Sequence, residues 1–186
     1  MPWHKDYTRP QLLKFFLPSR DSHAAAYYDW GSELETEWKE NYKLWMTFIN
    51  EYKNRGGRVT AGSDSGYMYN LYGFGFVQEL ELLREAGFHP MEVIRAGTLH
   101  AAEAIGMEDK IGTVEVGKLA DLILMDENPL KNLKYLYATG DIKLDEENDV
   151  IRVGGVEKTI KDGIVYDARL LLSLIHISEP TRRAII

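Results

Sequence analysis

The chain has 186 residues, 45% of them hydrophobic and 27% charged, a composition that suits one soluble globular domain or a domain and a half. Its formal charge of −7, from 22 basic and 29 acidic residues with no basic stripe, argues against a nucleic-acid or anionic-membrane partner. Cysteine is absent, which excludes disulfides and thiolate metal sites, so a metal would need His, Asp, Glu or Lys-derived ligands.

Targeting signals are also missing from the sequence. No apolar run reaches the roughly 18 residues of a membrane span, and the first ten residues, "MPWHKDYTRP", lack the apolar core of a signal peptide. We therefore expect a cytoplasmic protein, with the reservation that a longer natural N-terminus could carry a signal of its own.

The first half of the chain predicts helices around one short strand. Residues 1–32 show no sustained period beyond an apolar element at 12–17, and we expect them to be irregular. A helix is predicted from Glu33 to the glycine pair at 56 and 57. Its apolar residues recur in steps of three and four: Leu34, Trp38, Tyr42, Trp45, Phe48 or Ile49, and Tyr52.

The segment "RVTAGSD", residues 58–64, predicts a strand that ends at a carboxylate. A turn rich in glycine and tyrosine follows, and then a helix that stops at Gly87 and has its apolar face at Phe74, Val77, Leu80 and Leu83. "HPMEVIRAG" and "TLHAAEAIG" predict two further short helices, the second capped by Thr98 and closed by Gly106. Helix, strand, helix is the repeating unit of an α/β barrel.

After Gly106 the pattern changes to strands. "KIGTVEVGKLADLILMD" has two β-rich runs around "EVGK", which lacks Walker spacing and is interpreted as a β-turn. "VEKTIKDGIVYD" has two more around Asp162 and Gly163, a pair typical of a tight hairpin. The acidic segment "LDEENDV" predicts the solvated tip of another hairpin.

Two segments together resemble a known family. "VTAGSDSG", followed about thirty residues later by "AGTLHAAEAIGMEDKIGTVEVGKLADLILMDENPL", is similar to the C-terminal part of metal-dependent amidohydrolases, a group that includes imidazolonepropionases and related cyclic-amide and dipeptide hydrolases. The resemblance covers roughly residues 33–172. It implies an α/β fold: the C-terminal part of a (β/α)8 TIM barrel plus part of a small β-sandwich.

The resemblance also implies domain boundaries. Residues 1–106 would be the C-terminal portion of the barrel, with its eighth strand at about 58–64, and residues 107–172 would belong to the β-sandwich. Residues 173–186 would be a non-native tail, because "SLIHISEPTR" resembles a sequencing-adapter oligonucleotide read as codons. The alternative is an ordinary C-terminal tail, such as a short helix that docks on the barrel.

One catalytic residue can be carried over from the family to this sequence. In the family, the carboxylate that ends the eighth strand binds a catalytic metal or lies beside it and accepts the proton of the attacking water, and Asp64 matches that position. We therefore expect Asp64 to be catalytic and a ligand of Zn2+ or another divalent metal in the intact enzyme. The alternative is that Asp64 only caps the following turn.

The histidines do not complete such a metal site. The family's first strand supplies a His-x-His pair, which this chain lacks, and its five histidines are His4, His23, His89, His100 and His176. We interpret His100 as a packing residue on a helix, His89 as a turn residue, and His23 as a loop or substrate contact. His4 carries no signal, and His176 lies in the tail.

One Asp cannot supply the three protein ligands of a catalytic zinc, so we expect the chain alone to hold no catalytic metal and to be inactive. Its expected unpaired edges and exposed apolar surface predict poor solubility. The intact enzyme would hydrolyse a C–N bond, other than an ordinary peptide bond, in a small-molecule substrate. A dipeptidase-like or deaminase-like substrate, a non-catalytic module and a homo-oligomer of the intact enzyme remain open. Tyr67, Tyr69 and Tyr72 are candidate walls of the substrate mouth.

Overall fold

The computed structural model describes residues 6–22, 25–66 and 70–177, and the chain divides into two compact units, 1–106 and 107–186. The helices of the first unit are α1 (Pro10–Phe16), α2 (Ser32–Asn54), α3 (Gly75–Glu85), α4 (Pro90–Gly97) and α5 (Leu99–Ala104). The second unit contains β1 (Leu122–Leu124), β2 (Asp141–Leu144), β3 (Val150–Val153), β4 (Lys158–Lys161), β5 (Ile164–Asp167) and α6 (Ala168–Ile177). None of these described helices is long and apolar enough to cross a bilayer.

The core of the first unit forms where α3, α4 and α5 meet. Val77, Leu80 and Leu83 follow helical spacing on α3 and are buried, as the sequence predicts. Phe88, in the turn between α3 and α4, is 1% exposed, and Val93 on α4 is fully buried. The three short helices predicted over this region are therefore confirmed.

Backbone signals at the helix ends are mostly confirmed, with one correction. Gly56 and Gly106 follow α2 and α5 in the left-handed region, at φ of 87° and 67°, where a side chain would be strained. Thr98, however, does not cap α5 with its side chain. Its hydroxyl donates to the Ile94 carbonyl 2.7 Å away, because a helix already precedes it and offers a free acceptor.

Helix α2 packs along one edge only. Lys53 Nζ bonds Glu92 Oε2 at 2.8 Å and lies 4.9 Å from the centre of the Phe88 ring. On the same edge, burial and a hydrogen bond with Glu85 raise the pKa of Tyr42 to about 12. Every residue of α2 is described and none is buried, so the predicted apolar face is largely exposed. The periodicity predicted the helix correctly, but it could not show whether another segment packs against its apolar face.

Residues 58–64, predicted as a strand, form neither helix nor strand and pair with none of the described strands. A strand is defined by hydrogen bonds to a neighbour, and in the described residues this segment is bonded by helices instead. Its place as the eighth strand of a barrel remains a prediction.

The second unit contains a three-stranded antiparallel sheet in the order β1-β4-β5. Lys161 of β4 pairs with Ile164 of β5, and Asp162 and Gly163 between them have φ of 50° and 78°. Positive φ at both positions is the backbone of a type I′ turn, so the predicted hairpin is confirmed. Among the described residues of this unit, the buried apolar side chains are Leu133, Tyr135, Tyr137 and Val156.

Strands β2 and β3 form a separate two-stranded hairpin, and the acidic turn between them is confirmed as its tip. Asp145 closes that tip by accepting hydrogen bonds from the Glu147 and Asp149 amides at 3.1 and 2.8 Å. The strand predicted before "EVGK" is wrong, because residues 111–113 form bends and residue 114 is not in a strand either. Gly112 has a φ of 93° and Val114 is exposed, so this run has neither the backbone nor the partner of a strand.

The regions at both ends contain more helix than expected. Helix α1 and a 3₁₀ turn at Ala25–Tyr27 lie in the segment expected to be irregular. Helix α6 continues through residues 173–177 of the predicted tail, while 178–186 lie outside the described residues. The non-native origin of the tail remains a prediction.

Replacing Phe88 with alanine should destabilise the first unit by about 3–5 kcal/mol, because the substitution leaves a cavity among α2, α3 and α4. The matched control is Phe76→Ala, since Phe76 is 43% exposed and should cost much less. Urea unfolding followed by tryptophan fluorescence measures both. Equal losses for the two variants would contradict the assignment of this core.

Candidate functional site

Asp64, the candidate catalytic residue, lies at the end of the segment 58–64 in an unusual backbone conformation. Its side chain is exposed and its φ is 44°, in the left-handed region that non-glycine residues rarely adopt. The other described non-glycine residues with positive φ are Asn148 and Asp162, and both lie in hairpin turns. Among these three residues, Asp64 is therefore the one that lies outside a hairpin turn.

Helices α4 and α5 hold the segment that leads to Asp64. The Ala61 amide donates to the Ala96 carbonyl at 3.1 Å, and the buried Val59 offers its carbonyl to His100 Nδ1 at 3.1 Å. A carbonyl can only accept, so this contact requires the proton on Nδ1 of His100. His100 is thus a packing residue that fixes the segment, as the sequence indicates.

An ion pair adds to this attachment at the start of the segment. Arg58 Nη1 lies 3.0 Å from Glu103 Oε2 on α5, so the two side chains form an ion pair. Arg58 is 64% exposed, so the pair orients the chain more than it stabilises the fold.

The turn after Asp64 is closed by Asn70. Its side-chain amide donates to the Ser63 carbonyl, and its backbone carbonyl accepts a hydrogen bond from the Gly66 amide at 2.9 Å. Ser65 donates its hydroxyl to that of Ser63 at 2.8 Å. Asp64 lies between the two serines, so bonds on both sides fix its backbone.

Gly75, the first residue of α3, allows the turn to lie close to the helix. A Cβ at position 75 would come within 2.5 Å of the Ser65 hydroxyl and even closer to the Asn70 side chain, both clashes. A side chain at position 75 would therefore force the Asn70 and Ser65 side chains to shift.

The described residues do not form a metal site by themselves. Within 6–22, 25–66 and 70–177, no group of three His, Asp or Glu side chains is placed to hold one ion. His89, the N-cap of α4, accepts from the Met91 amide through Nδ1 at 3.5 Å. His4 and His23 lie outside the described residues, as does the side chain of His176. Asp64 alone does not fit the three-ligand requirement of zinc.

The expected tyrosine wall is only partly visible. Tyr67 and Tyr69 lie outside the described residues, and Tyr72 is 60% exposed beside Gly66. Their role towards a substrate remains a prediction.

Comparison with known proteins identifies the family. The model of the amidohydrolase family matches residues 45–165, which is more than half of the chain and includes Asp64. The chain belongs to the amidohydrolase family. This assignment confirms the resemblance carried by the strand-end aspartate and the long segment after it.

Curated relatives of this amidohydrolase chain have different substrates in their names. A 5'-deoxyadenosine deaminase from Methanobrevibacter smithii is 36% identical over 101 residues, covering 53% of this chain and 22% of its own length. An imidazolonepropionase from Symbiobacterium thermophilum is 40% identical over 75 residues, covering 38% of this chain and 16% of its own length. The chain therefore spans about a fifth of the length of the curated relatives it matches.

A solved structure supports the fold. A putative prolidase from Bifidobacterium longum matches 89% of this amidohydrolase chain and 37% of its own, with a TM-score of 0.56 and 23% identity. At this identity the similarity shows the α/β amidohydrolase fold alone.

Sequence reasoning missed Asn70, Ser63 and Ser65. A signal was present, because Asn and Ser often bond nearby backbone groups in glycine-rich turns. Spacing alone could not show that Asn70 closes the turn across to Ser63, since this depends on how the chain returns before α3.

Replacing Asn70 with aspartate should loosen the turn that carries Asp64, because a carboxylate cannot donate to the Ser63 carbonyl. We expect the Gly66 amide to exchange with solvent about fivefold to tenfold faster, as measured by NMR hydrogen exchange. The control is Asn128→Asp, since Asn128 only accepts, from the Leu130 amide at 2.9 Å, and aspartate preserves that bond. Unchanged exchange at Gly66 would show that Asn70 does not close the turn.

Proposed function

We propose that this chain is the C-terminal portion of an amidohydrolase that hydrolyses a C–N bond, other than an ordinary peptide bond, in a small molecule. The observation that carries the proposal is the family match over 45–165, together with an exposed Asp64 at the end of the segment 58–64 inside it. Residues 1–106 would contribute the end of the barrel and 107–172 part of the β-sandwich.

Asp64 would act on the attacking water. A carboxylate that water can reach is able to take a proton from it as the nucleophile forms and pass that proton to the leaving nitrogen. The exposed side chain of Asp64 and its fixed backbone suit both steps. A carboxylate with this task should face solvent, whereas a purely structural one would more often be bonded within the turn.

Zinc or another divalent metal belongs to the proposal for the intact enzyme only. No three of the described His, Asp and Glu side chains are placed to hold one ion, so a metal at Asp64 would need further ligands from elsewhere. The proton transfers assigned to Asp64 therefore involve only its own carboxylate.

A second candidate is that the 186-residue chain is a non-catalytic module. It is favoured by the small share, 22% and 16%, of the relatives' lengths that the chain matches. Within the enzyme class, a deaminase-like or a dipeptidase-like substrate is the alternative, and the deaminase name of one curated relative favours the first. The net charge of −7 speaks against nucleic acid and anionic membranes as partners.

The purified chain, freed of any histidine tag, should contain far less than one zinc per molecule after dialysis, because one carboxylate does not form a tight zinc site. Elemental analysis by mass spectrometry gives the ratio. Stoichiometric, tightly bound zinc would contradict the proposal that the other ligands lie outside this chain.

In a longer gene product that contains these residues, Asp64→Asn should lower kcat for C–N hydrolysis by about a thousandfold, since the proton acceptor is lost. Asparagine also tolerates a positive φ, so the turn should persist. Asp109→Asn, at an exposed position of the second unit, is the matched control. Full activity of Asp64→Asn would overturn the role of Asp64, and a longer product without a His-x-His pair would overturn the metallohydrolase assignment.

A further inference from the structure

One edge of helix α5 holds two neighbouring residues of the segment 58–64. His100 Nδ1 lies 3.1 Å from the Val59 carbonyl, and Glu103 Oε2 lies 3.0 Å from Arg58 Nη1. His100 and Glu103 are three residues apart, so their side chains leave α5 on the same side. Two contacts from one helix edge to consecutive residues fix where the segment lies along α5.

The contact with Val59 matters more than the ion pair. Val59 is buried, whereas the Arg58 side chain is 64% exposed and water screens its attraction to Glu103. A buried carbonyl that loses its donor is costly, because water cannot readily replace the bond. His100 lies within this chain, so the contact needs no residue of a longer protein.

The attachment at Val59 is linked to Asp64 through two further hydrogen bonds. The Ala61 amide is bonded to α4, and the Ser63 carbonyl accepts from Asn70. The bonds at Val59 and Ala61 are two residues apart and both lead to the α4–α5 pair, so the loss of one loosens the other. Asp64 follows directly, and its position therefore depends on how α5 holds Val59.

We propose that His100 is a positioning residue for Asp64, acting through the Val59 carbonyl. The proposal rests on the catalytic role proposed above for Asp64 and gives α5 a part in it. Placement matters for such a carboxylate, because a displacement of about 1 Å can cost about a hundredfold in rate. Since a carbonyl only accepts, neutral His100 must carry its proton on Nδ1.

His89 provides an internal control for this tautomer, because its Nδ1 accepts from the Met91 amide and its proton must lie on Nε2. Long-range 1H–15N NMR of the full 186-residue chain at about pH 8, where free histidine is neutral, distinguishes the two forms. We expect the Nδ1–H form for His100 and the Nε2–H form for His89. The Nε2–H form at His100 would overturn the proposal, because Val59 would then lose its donor.

Two substitutions separate the donor from the bulk of the side chain. His100→Leu removes the donor, whereas His100→Asn keeps an N–H close to the place of Nδ1–H. In His100→Leu, the Ala61 amide should exchange with solvent about tenfold faster, and the 13C resonances of Asp64, which report its positive φ, should shift. His100→Asn should restore both. Equal changes in the two variants, or unchanged Asp64 resonances in His100→Leu, would contradict the positioning role.

Activity separates this proposal from the catalytic one. In a longer gene product that contains these residues, His100→Leu should lower kcat about tenfold to a hundredfold with little change in KM, and His100→Asn should restore it. Full activity of Asp64→Asn, measured beside them, would overturn the catalytic role of Asp64 whatever the NMR results. Loss of activity in Asp64→Asn with full activity in His100→Leu would overturn the role of His100 alone.

Discussion

Backbone hydrogen bonding of the segment before Asp64 is the constraint on which this half of the molecule depends. Val59 is buried, and its carbonyl needs a donor that no strand supplies among the described residues. The carbonyl of Ala96, in the last turn of α4, is one of the acceptors that a helix leaves open at its C-terminus. Ala61 and His100 meet these two needs together, so helix ends take the place of a sheet.

The break between α4 and α5 makes that arrangement possible. Thr98 has φ of −130° and ψ of −87°, outside the helical region, and the chain changes direction there. The break leaves the Ala96 carbonyl free to accept from the Ala61 amide and turns His100, on α5, towards Val59. A continuous helix through residues 90–104 would use the Ala96 carbonyl for its own next turn. The backbone conformation of Thr98 thus makes the break, while its hydroxyl donates a hydrogen bond to the Ile94 carbonyl.

Local chemistry could be predicted from the sequence, and partners could not. Asp162 with Gly163 specifies its turn within two residues, and Gly56 specifies a helix end, because positive φ is a local property. The pairing of residues 58–64 and the covered edge of α2 both depend on which other segments lie beside them. The periodicity of the sequence does not identify those segments. The same limit explains why the role of Asn70 was missed, because its hydrogen bond to the Ser63 carbonyl joins residues that are seven positions apart.

The backbone of Asp64 bears on the choice between a catalytic residue and a turn cap. Within the part of the chain that the structure describes, the bonds that close this turn come from Asn70, Ser65 and Gly66, and none uses the Asp64 carboxylate. A cap would be expected to bond the turn it stabilises. A non-glycine residue kept at positive φ carries a conformational cost, and such residues cluster at functional sites. A carboxylate that the turn orients but does not use is free to act on something outside it.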